Sequence, residues 1–149
     1  MAAQMEQACF PPEEAWPAAL MMERIKRLPN MTLVVEDMVT MQLVGMINGI
    51  ATDDETFRDE FITDISLHNP TGKNIMITGL QILPAYRHRG LAKSLMSHYL
   101  AQEKSRGRHN VFLTCLADKI PMYQKMGFHP TGNLSTWATL PYHEMHRPL

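Results

Sequence analysis

Apolar residues change their period along this chain, and each change marks an element. Met31 to Glu36 and Gln42 to Ile50 are short aliphatic runs on either side of a polar turn, Asp37 to Met41, and together predict a hairpin. Ile75 to Leu83 is almost continuously apolar, as a central strand covered on both faces would be. Val111 to Leu116 has the same character and predicts a second buried strand. Between these two, Leu91, Leu95 and Tyr99, flanked by Ala92, Met96 and Leu100, recur at helical spacing from Gly90 to about Arg106. That pattern assigns Lys93, Ser94, Ser97, Gln102 and Glu103 to water, and Gly107 ends the helix. Strand, helix and strand in series connect by a right-handed crossover, which sets the two strands parallel.

The flanks are more punctuated. Residues 2 to 8 predict the end of a short helix, and Pro11-Pro12-Glu13-Glu14 opens a second that runs to about Leu28, where Leu28-Pro29-Asn30 stops it. Thr52 to Leu67 spaces Phe57, Phe61 and Ile65 at a helical period before the turn His68-Asn69-Pro70-Thr71-Gly72. Asp118 begins a short helix through Met126, with Pro121 in its first turn and Gly127 as terminator. A last hairpin follows, with arms Phe128 to Thr131 and about Ser135 to Met145.

The chain has 149 residues, 45% of them hydrophobic, enough for one substantial core and short for two, so a single domain over 1–149 is expected. Fourteen basic against 15 acidic residues leave a formal net charge of -1, which argues against a nucleic-acid partner. Cys9 and Cys115 have no metal-like spacing and form no disulfide framework; a reducing, cytoplasmic setting fits them. No basic flank precedes an apolar stretch at the start, and no long apolar run occurs, so neither export nor a membrane partner is expected. Seven scattered histidines make no metal set. Thirteen methionines, among them Met21, Met22, Met76, Met96 and Met126, read as core filler.

The candidate chemistry lies in Tyr86-Arg87-His88-Arg89-Gly90-Leu91-Ala92, between the apolar run and the helix. Basic side chains, a glycine and a helix start in that order form a cradle of backbone N–H groups suited to a diphosphate. Farther on, Cys115 to Phe128, CLADKIPMYQKMGF, places a tyrosine on a short helix that closes in Gly-Phe. A glycine at a strand-to-helix turn is by itself weak evidence; the two segments together carry more.

The two segments, in this order and separation, resemble the acyl-CoA-binding GNAT superfamily of N-acetyltransferases, whose cradle reads Arg or Gln, two residues, Gly, one residue, Gly or Ala. Ile120 to Pro130 and Tyr142 to Leu149, YHEMHRPL, resemble more closely the arylalkylamine, or serotonin, N-acetyltransferases, as do Leu43 to Gly49 and His68 to Gly72. The resemblance implies an α/β fold: one mixed, mostly antiparallel sheet with a central, splayed parallel strand pair, flanked by helices. Members begin with a strand that this chain lacks ahead of its first helix, so six strands are expected, with an exposed edge and either a monomer or a homodimer.

The same resemblance implies acetyl-CoA as acyl donor and a small primary amine, an arylalkylamine or a polyamine, as acceptor. Leu80, Gln81 and Ile82 would meet the thioester, and His88, Arg89, Gly90, Leu91, Ala92 and Lys93 would surround the diphosphate. Tyr123 matches the general acid that protonates the departing thiolate. The family's His-x-His pair on the strand before the cradle is replaced by Met76 and Thr78, which leaves the general base unassigned among water, Asp64, Glu60 and His68. The alternative is an acyl-CoA-binding protein with a degenerate or regulatory site. Asp59, Glu60 and Asp64, with Phe10 to Trp16 and Phe57 to Ile65, are the candidates for attracting the amine. On the terminal strand Glu144 and His146 share a face and are expected to pair with each other.

Overall fold

Both kinds of apolar run, alternating and continuous, become strands in the computed structural model, which describes residues 26–137 and 140–149. Six strands are described: β1 (Thr32–Asp37), β2 (Gln42–Thr52), β3 (Asn74–Ile82), β4 (Asn110–Cys115), β5 (His129–Trp137) and β6 (Leu140–Pro148). They form one sheet in the order β1-β2-β3-β4-β6-β5. The β3–β4 pair is parallel, and β1–β2, β4–β6 and β5–β6 are antiparallel. Three helices accompany them: α1 (Glu60–Thr63), α2 (Leu91–Ser105) and α3 (Ile120–Lys125). The helix expected over residues 2 to 8, the start of the one expected to run to about Leu28, and the question of a strand before them lie outside the described residues; Lys26 and Arg27 are helical and Leu28 is not.

The described residues divide into two compact units, 26–48 with 79–99, and 49–78 with 100–137 and 140–149. In the first, β1 runs against β2 from Thr32↔Asn48 to Asp37↔Gln42, with an irregularity between Val35 and Glu36. Tyr99 is fully buried, and its hydroxyl reaches the Met31 carbonyl at 2.9 Å, which settles the polar tip of a large aromatic in the core. Leu95 and Met96 of α2 are buried as the helical stripe requires.

In the second unit β3 and β4 are in register only from Asn74↔Asn110 to Met76↔Phe112, although the strands extend to Ile82 and Cys115. Side chains fasten that end. Asn74 Nδ2 donates to the Asp54 carbonyl at 2.9 Å, Asn110 Nδ2 donates to Asn74 Oδ1 at 3.2 Å, and His146 Nε2 lies 2.8 Å from Asn110 Oδ1. Since Asn110 Oδ1 can only accept, His146 carries its proton on Nε2. Its ring also packs on Phe112, centroids 4.8 Å apart.

Glu144 and His146 therefore do not pair, contrary to expectation. Glu144 is 4% exposed, and its carboxylate accepts from the Phe57 amide at 2.6 Å, the Thr131 hydroxyl at 2.8 Å and the Asn133 amide at 3.0 Å. Three donors on two segments satisfy a charge that burial alone would make very costly.

The helix expected over Thr52 to Leu67 is not formed as one piece. Thr52 still belongs to β2, the Phe57 amide is spent on Glu144, and Asp64 is extended while its carboxylate takes the Ser66 amide and hydroxyl. Local side-chain bonds of this kind compete with the helix ladder. What survives is the four-residue α1 and a 3-10 turn at Ile65–Leu67, yet Phe57, Phe61 and Ile65 are buried as their spacing demanded. The last hairpin also differs: Gly132 and Asn133 lie within β5, at an irregularity between Pro130 and Leu134 where Gly132 has φ +92. Turn residues there mark a bulge, and the strand continues past it. Glu103, assigned to water, is fully buried; Arg106 meets it at 2.8 Å, and the Arg108 guanidinium lies 3.5 Å away, itself held by the Pro70 and Gly72 carbonyls.

Glu144→Ala takes the acceptor from three donors, one of them the buried Phe57 amide, and should lower unfolding free energy by about 3 kcal/mol. Urea denaturation followed by circular dichroism measures it, and a loss under about 1 kcal/mol would show that water replaces the carboxylate at little cost.

Candidate functional site

The cradle begins where β3 ends. Leu80 is half-buried, Gln81 and Ile82 are buried, and the chain then makes a 3-10 turn over Pro84–Tyr86. Arg87, the first residue of the family's pattern, folds back so that its Nε donates to the Ile82 carbonyl at 3.0 Å. It secures the loop to the strand.

Two residues then take left-handed backbone, His88 at φ 63 and Gly90 at φ 77, on either side of Arg89. Such alternation turns successive amides toward one side and makes a concavity for an anion. The bond from the Ser94 amide to the Gly90 carbonyl, 3.0 Å, opens α2, so the amides of Leu91, Ala92 and Lys93 have no intrahelical acceptor. No acidic residue occupies the first turn of this 15-residue helix, while Arg87, His88, Arg89 and Lys93 are exposed around it. Helix dipole, unspent amides and cationic side chains all favour a negative group here. A Cβ on Gly90 would meet nothing within 4 Å, so glycine is required by its dihedral and not by crowding.

One part of this loop was not anticipated. The Tyr86 hydroxyl donates to Asp37 Oδ2 at 2.7 Å, and the Arg89 guanidinium carbon stands 5.2 Å from the centre of the Tyr86 ring. That bond, and the Val39 amide, hold the Asp37 carboxyl below the usual carboxylate range, while accepting Tyr86's proton pushes the Tyr86 phenol up. Tyr86 lies within the motif, but a partner 49 residues earlier leaves no local trace.

Tyr123 lies in the second unit, on α3, where Pro121 occupies the first turn as expected and a 3-10 turn over Ala117–Lys119 precedes it. The Phe128 amide donates to the Tyr123 carbonyl at 3.0 Å, and the two rings meet edge to face at 6.1 Å. Among the described residues the Tyr123 hydroxyl has no hydrogen-bond partner. Burial, then neighbouring Cys115, pushes its phenol far above the ordinary value. Burial likewise pushes the Cys115 thiol up to about 11, with Asp118 adding to the rise.

The candidate bases are mostly committed. Asp64 holds Ser66, which lowers its carboxyl; His68 Nδ1 accepts from the Ala51 amide at 3.0 Å; Glu60 is exposed. Met76 is fully buried and Thr78 nearly so. Of the acidic trio only Asp59 is half-buried, and desolvation, followed by the charge of Glu60, raises its carboxyl. Phe57, Phe61 and Ile65 go to the core, and Phe10 to Trp16 lie outside the described residues. Among the described residues no three His, Cys, Asp or Glu are grouped as for a metal, and no helix is long and apolar enough to cross a membrane.

Residues 1–128 match the acetyltransferase (GNAT) family. The chain belongs to that family. The fold is similar to the loading GNATL domain of CurA from Lyngbya majuscula, with TM-score 0.81 at 15% identity, over 97% of this chain and 89% of that one. It is also similar to the GphF GNAT-like decarboxylase in complex with isobutyryl-CoA, at 0.78 and 16%, over 98% and 92%. A phosphinothricin acetyltransferase from Sinorhizobium meliloti, in complex with AcCoA, scores 0.70 at 16%, over 99% and 80%. At these identities the likeness is one of fold.

Gly90→Ala should cost about 1 kcal/mol of stability through its left-handed backbone alone, and thermal melting measures it. The alkaline limb follows from Cys115, whose thiol ionises from 9.0 upward in the unfolded chain but only at about 11 in the fold. The native state then holds the extra proton, so stability should fall as pH rises from 9 to 11. Cys115→Ser should flatten that limb in pH-dependent urea titrations.

Proposed function

We propose that this GNAT protein is an acetyl-CoA-dependent N-acetyltransferase acting on a small primary amine. The observation that carries the reading is the loop with left-handed His88 and Gly90 opening directly into α2. Amides of Leu91, Ala92 and Lys93, with the exposed Arg89, fit the diphosphate of an acyl-CoA in both geometry and charge. His88 and Gly90 shape the turn, and Leu80, Gln81 and Ile82 present the backbone that meets the thioester. When bound, acetyl-CoA supplies an activated acetyl group and a thiolate leaving group.

Tyr123 is the proposed general acid. Its raised pKa keeps the phenol protonated at neutral pH. A thiolate with the ordinary thiol value of about 8.5 is a weaker base than this phenolate, so full transfer is uphill. The hydroxyl thus acts first as a hydrogen-bond donor to the developing negative sulfur, a smaller effect than complete proton donation. With Asp64 and His68 committed elsewhere, proton removal from the amine falls to water or the exposed Glu60, which suits acceptors that carry a fraction of neutral amine at working pH. An arylalkylamine or polyamine fits the resemblance of the terminal strand, with Asp59 as the acidic group drawn to its charge. Cytoplasmic localisation is part of this proposal, as is a single functional domain over 1–149.

The second reading is a protein that binds acyl-CoA without acetylating amines. It is favoured by Met76 and Thr78 at the histidine positions, and both are buried. Calorimetric titration with acetyl-CoA, followed by mass detection of products from arylalkylamines, polyamines, amino acids, aminoglycosides and lysine peptides, decides between the two. Saturable binding with small-amine products supports the proposal; binding without any product supports the second reading. Tyr123→Phe should lower the single-turnover rate by roughly 10-fold while cofactor affinity holds, and an unchanged rate would remove Tyr123 from the chemistry.

A further inference from the structure

We infer that Asp37 and Tyr86 are positioning residues that hold Arg89 ready for a phosphate group of the acyl-CoA. The inference rests on the proposed acyl-CoA site and adds to it a device in the β1–β2 turn. An exposed arginine ordinarily loses rotamer entropy when it meets a ligand. Here its guanidinium already stacks over the Tyr86 ring, 5.2 Å from the centroid. Its flanking residues, His88 and Gly90, are both left-handed, which fixes the direction in which the side chain leaves the backbone.

The platform is itself held. Tyr86 donates to Asp37 Oδ2 at 2.7 Å, while Asp37 Oδ1 accepts from the Val39 amide at 2.9 Å and the Thr40 amide at 3.4 Å. The Met41 amide closes the turn on the Asp37 carbonyl at 2.7 Å, leaving Met41 at φ 59, a conformation costly for methionine. Met38 and Val39 are 77% and 92% exposed, so burial of the tip does not hold the turn; Asp37 does. Arg89 makes no ion pair or hydrogen bond of its own among the described residues. Its face is supported and its N–H edge is unspent, as suits a group that meets two phosphate oxygens at once.

A double-mutant cycle tests this, with acetyl-CoA affinity read by calorimetry on variants whose melting shows them folded. Arg89→Ala should weaken binding about 10-fold and Tyr86→Leu about 3-fold to 10-fold. In the Arg89→Ala background Tyr86→Leu should have no further effect, because its contribution passes through Arg89. Tyr86→Phe, which keeps the ring and loses the tether, serves where Tyr86→Leu does not fold and should show a smaller loss, again only when Arg89 is present. Asp37→Ala should weaken binding, and Asp37→Asn, which offers one oxygen where the carboxylate serves both the Tyr86 hydroxyl and the Val39 amide, should restore it only in part. Losses from Tyr86 or Asp37 that persist undiminished without Arg89 would make their role merely structural and overturn the inference. The acyl-CoA reading would survive that result. Absence of saturable binding to the wild-type protein removes the reading and the inference together.

Discussion

The parallel pairing of β3 with β4 is the constraint on which the architecture rests, and it is short. Only Asn74–Met76 and Asn110–Phe112 are in register, and slanted parallel ladders are slightly weaker per residue than antiparallel ones. Three pairs do not hold a register alone. Side chains supply the rest: Asn74 and Asn110 join amide to amide, Asp54 terminates the chain at one end and His146 at the other. Because each member is both located and satisfied by the next, a slip by one residue would strand buried polar groups. The amide chain specifies register where apolar packing, which tolerates sliding, does not.

A parallel pair also dictates what lies between its strands. Two strands running the same way need a crossover, and α2 is that crossover, entered through the loop at residues 83–90. The loop must reverse the chain from a strand into a helix within a few residues, which is where the left-handed His88 and Gly90 are spent. Helix entry leaves amides unpaired as a matter of geometry. An anion site is thus a by-product of the connection, and the charges of Arg87, Arg89 and Lys93 turn that by-product into a candidate phosphate site. His88 bears a backbone cost that glycine would avoid, so local strain and candidate function coincide in this loop.

Much of this was legible in the sequence, for a physical reason. Burial imposes periodicity, so β1 to β4 and α2 fell within a residue or two of their observed ends, the largest gap being at the end of β2, which runs on from Ile50 to Thr52. The cradle was legible because Gly90 and the helix start are neighbours in sequence. What escaped was long-range and polar. Phe57 is held by Glu144, Asn74 by Asp54 and Tyr86 by Asp37, partners 87, 20 and 49 residues away; Glu103, by contrast, has near neighbours in Arg106 and Arg108, and there the helical pattern misread a buried charge as a solvated one. The Thr52–Leu67 helix failed because partners from β6 and Ser66 outbid the helix ladder, while the apolar spacing correctly named the residues that are buried. Asn133, a turn residue by chemistry, became part of a bulge because Glu144 offers its amide a buried acceptor.

Met76 and Thr78 bear on the chemistry through burial. A histidine pair in their place would need hydrogen-bond partners or water, and Met76 has no exposed surface through which to meet water. The substitution is thus consistent with its environment, and the absence of histidines is built into the packing of β3. Under the proposed function, catalysis draws on terms other than a strong base: orientation of the acceptor, stabilisation of the departing sulfur by a phenol that keeps its proton, and an amine that arrives partly neutral. These terms are weaker singly than a tuned general base, and they favour acceptors of lower basicity. An arylalkylamine or polyamine with a fully basic terminal nitrogen would then turn over faster as pH rises toward the amine's own pKa, up to the alkaline limb where Cys115 begins to weaken the fold.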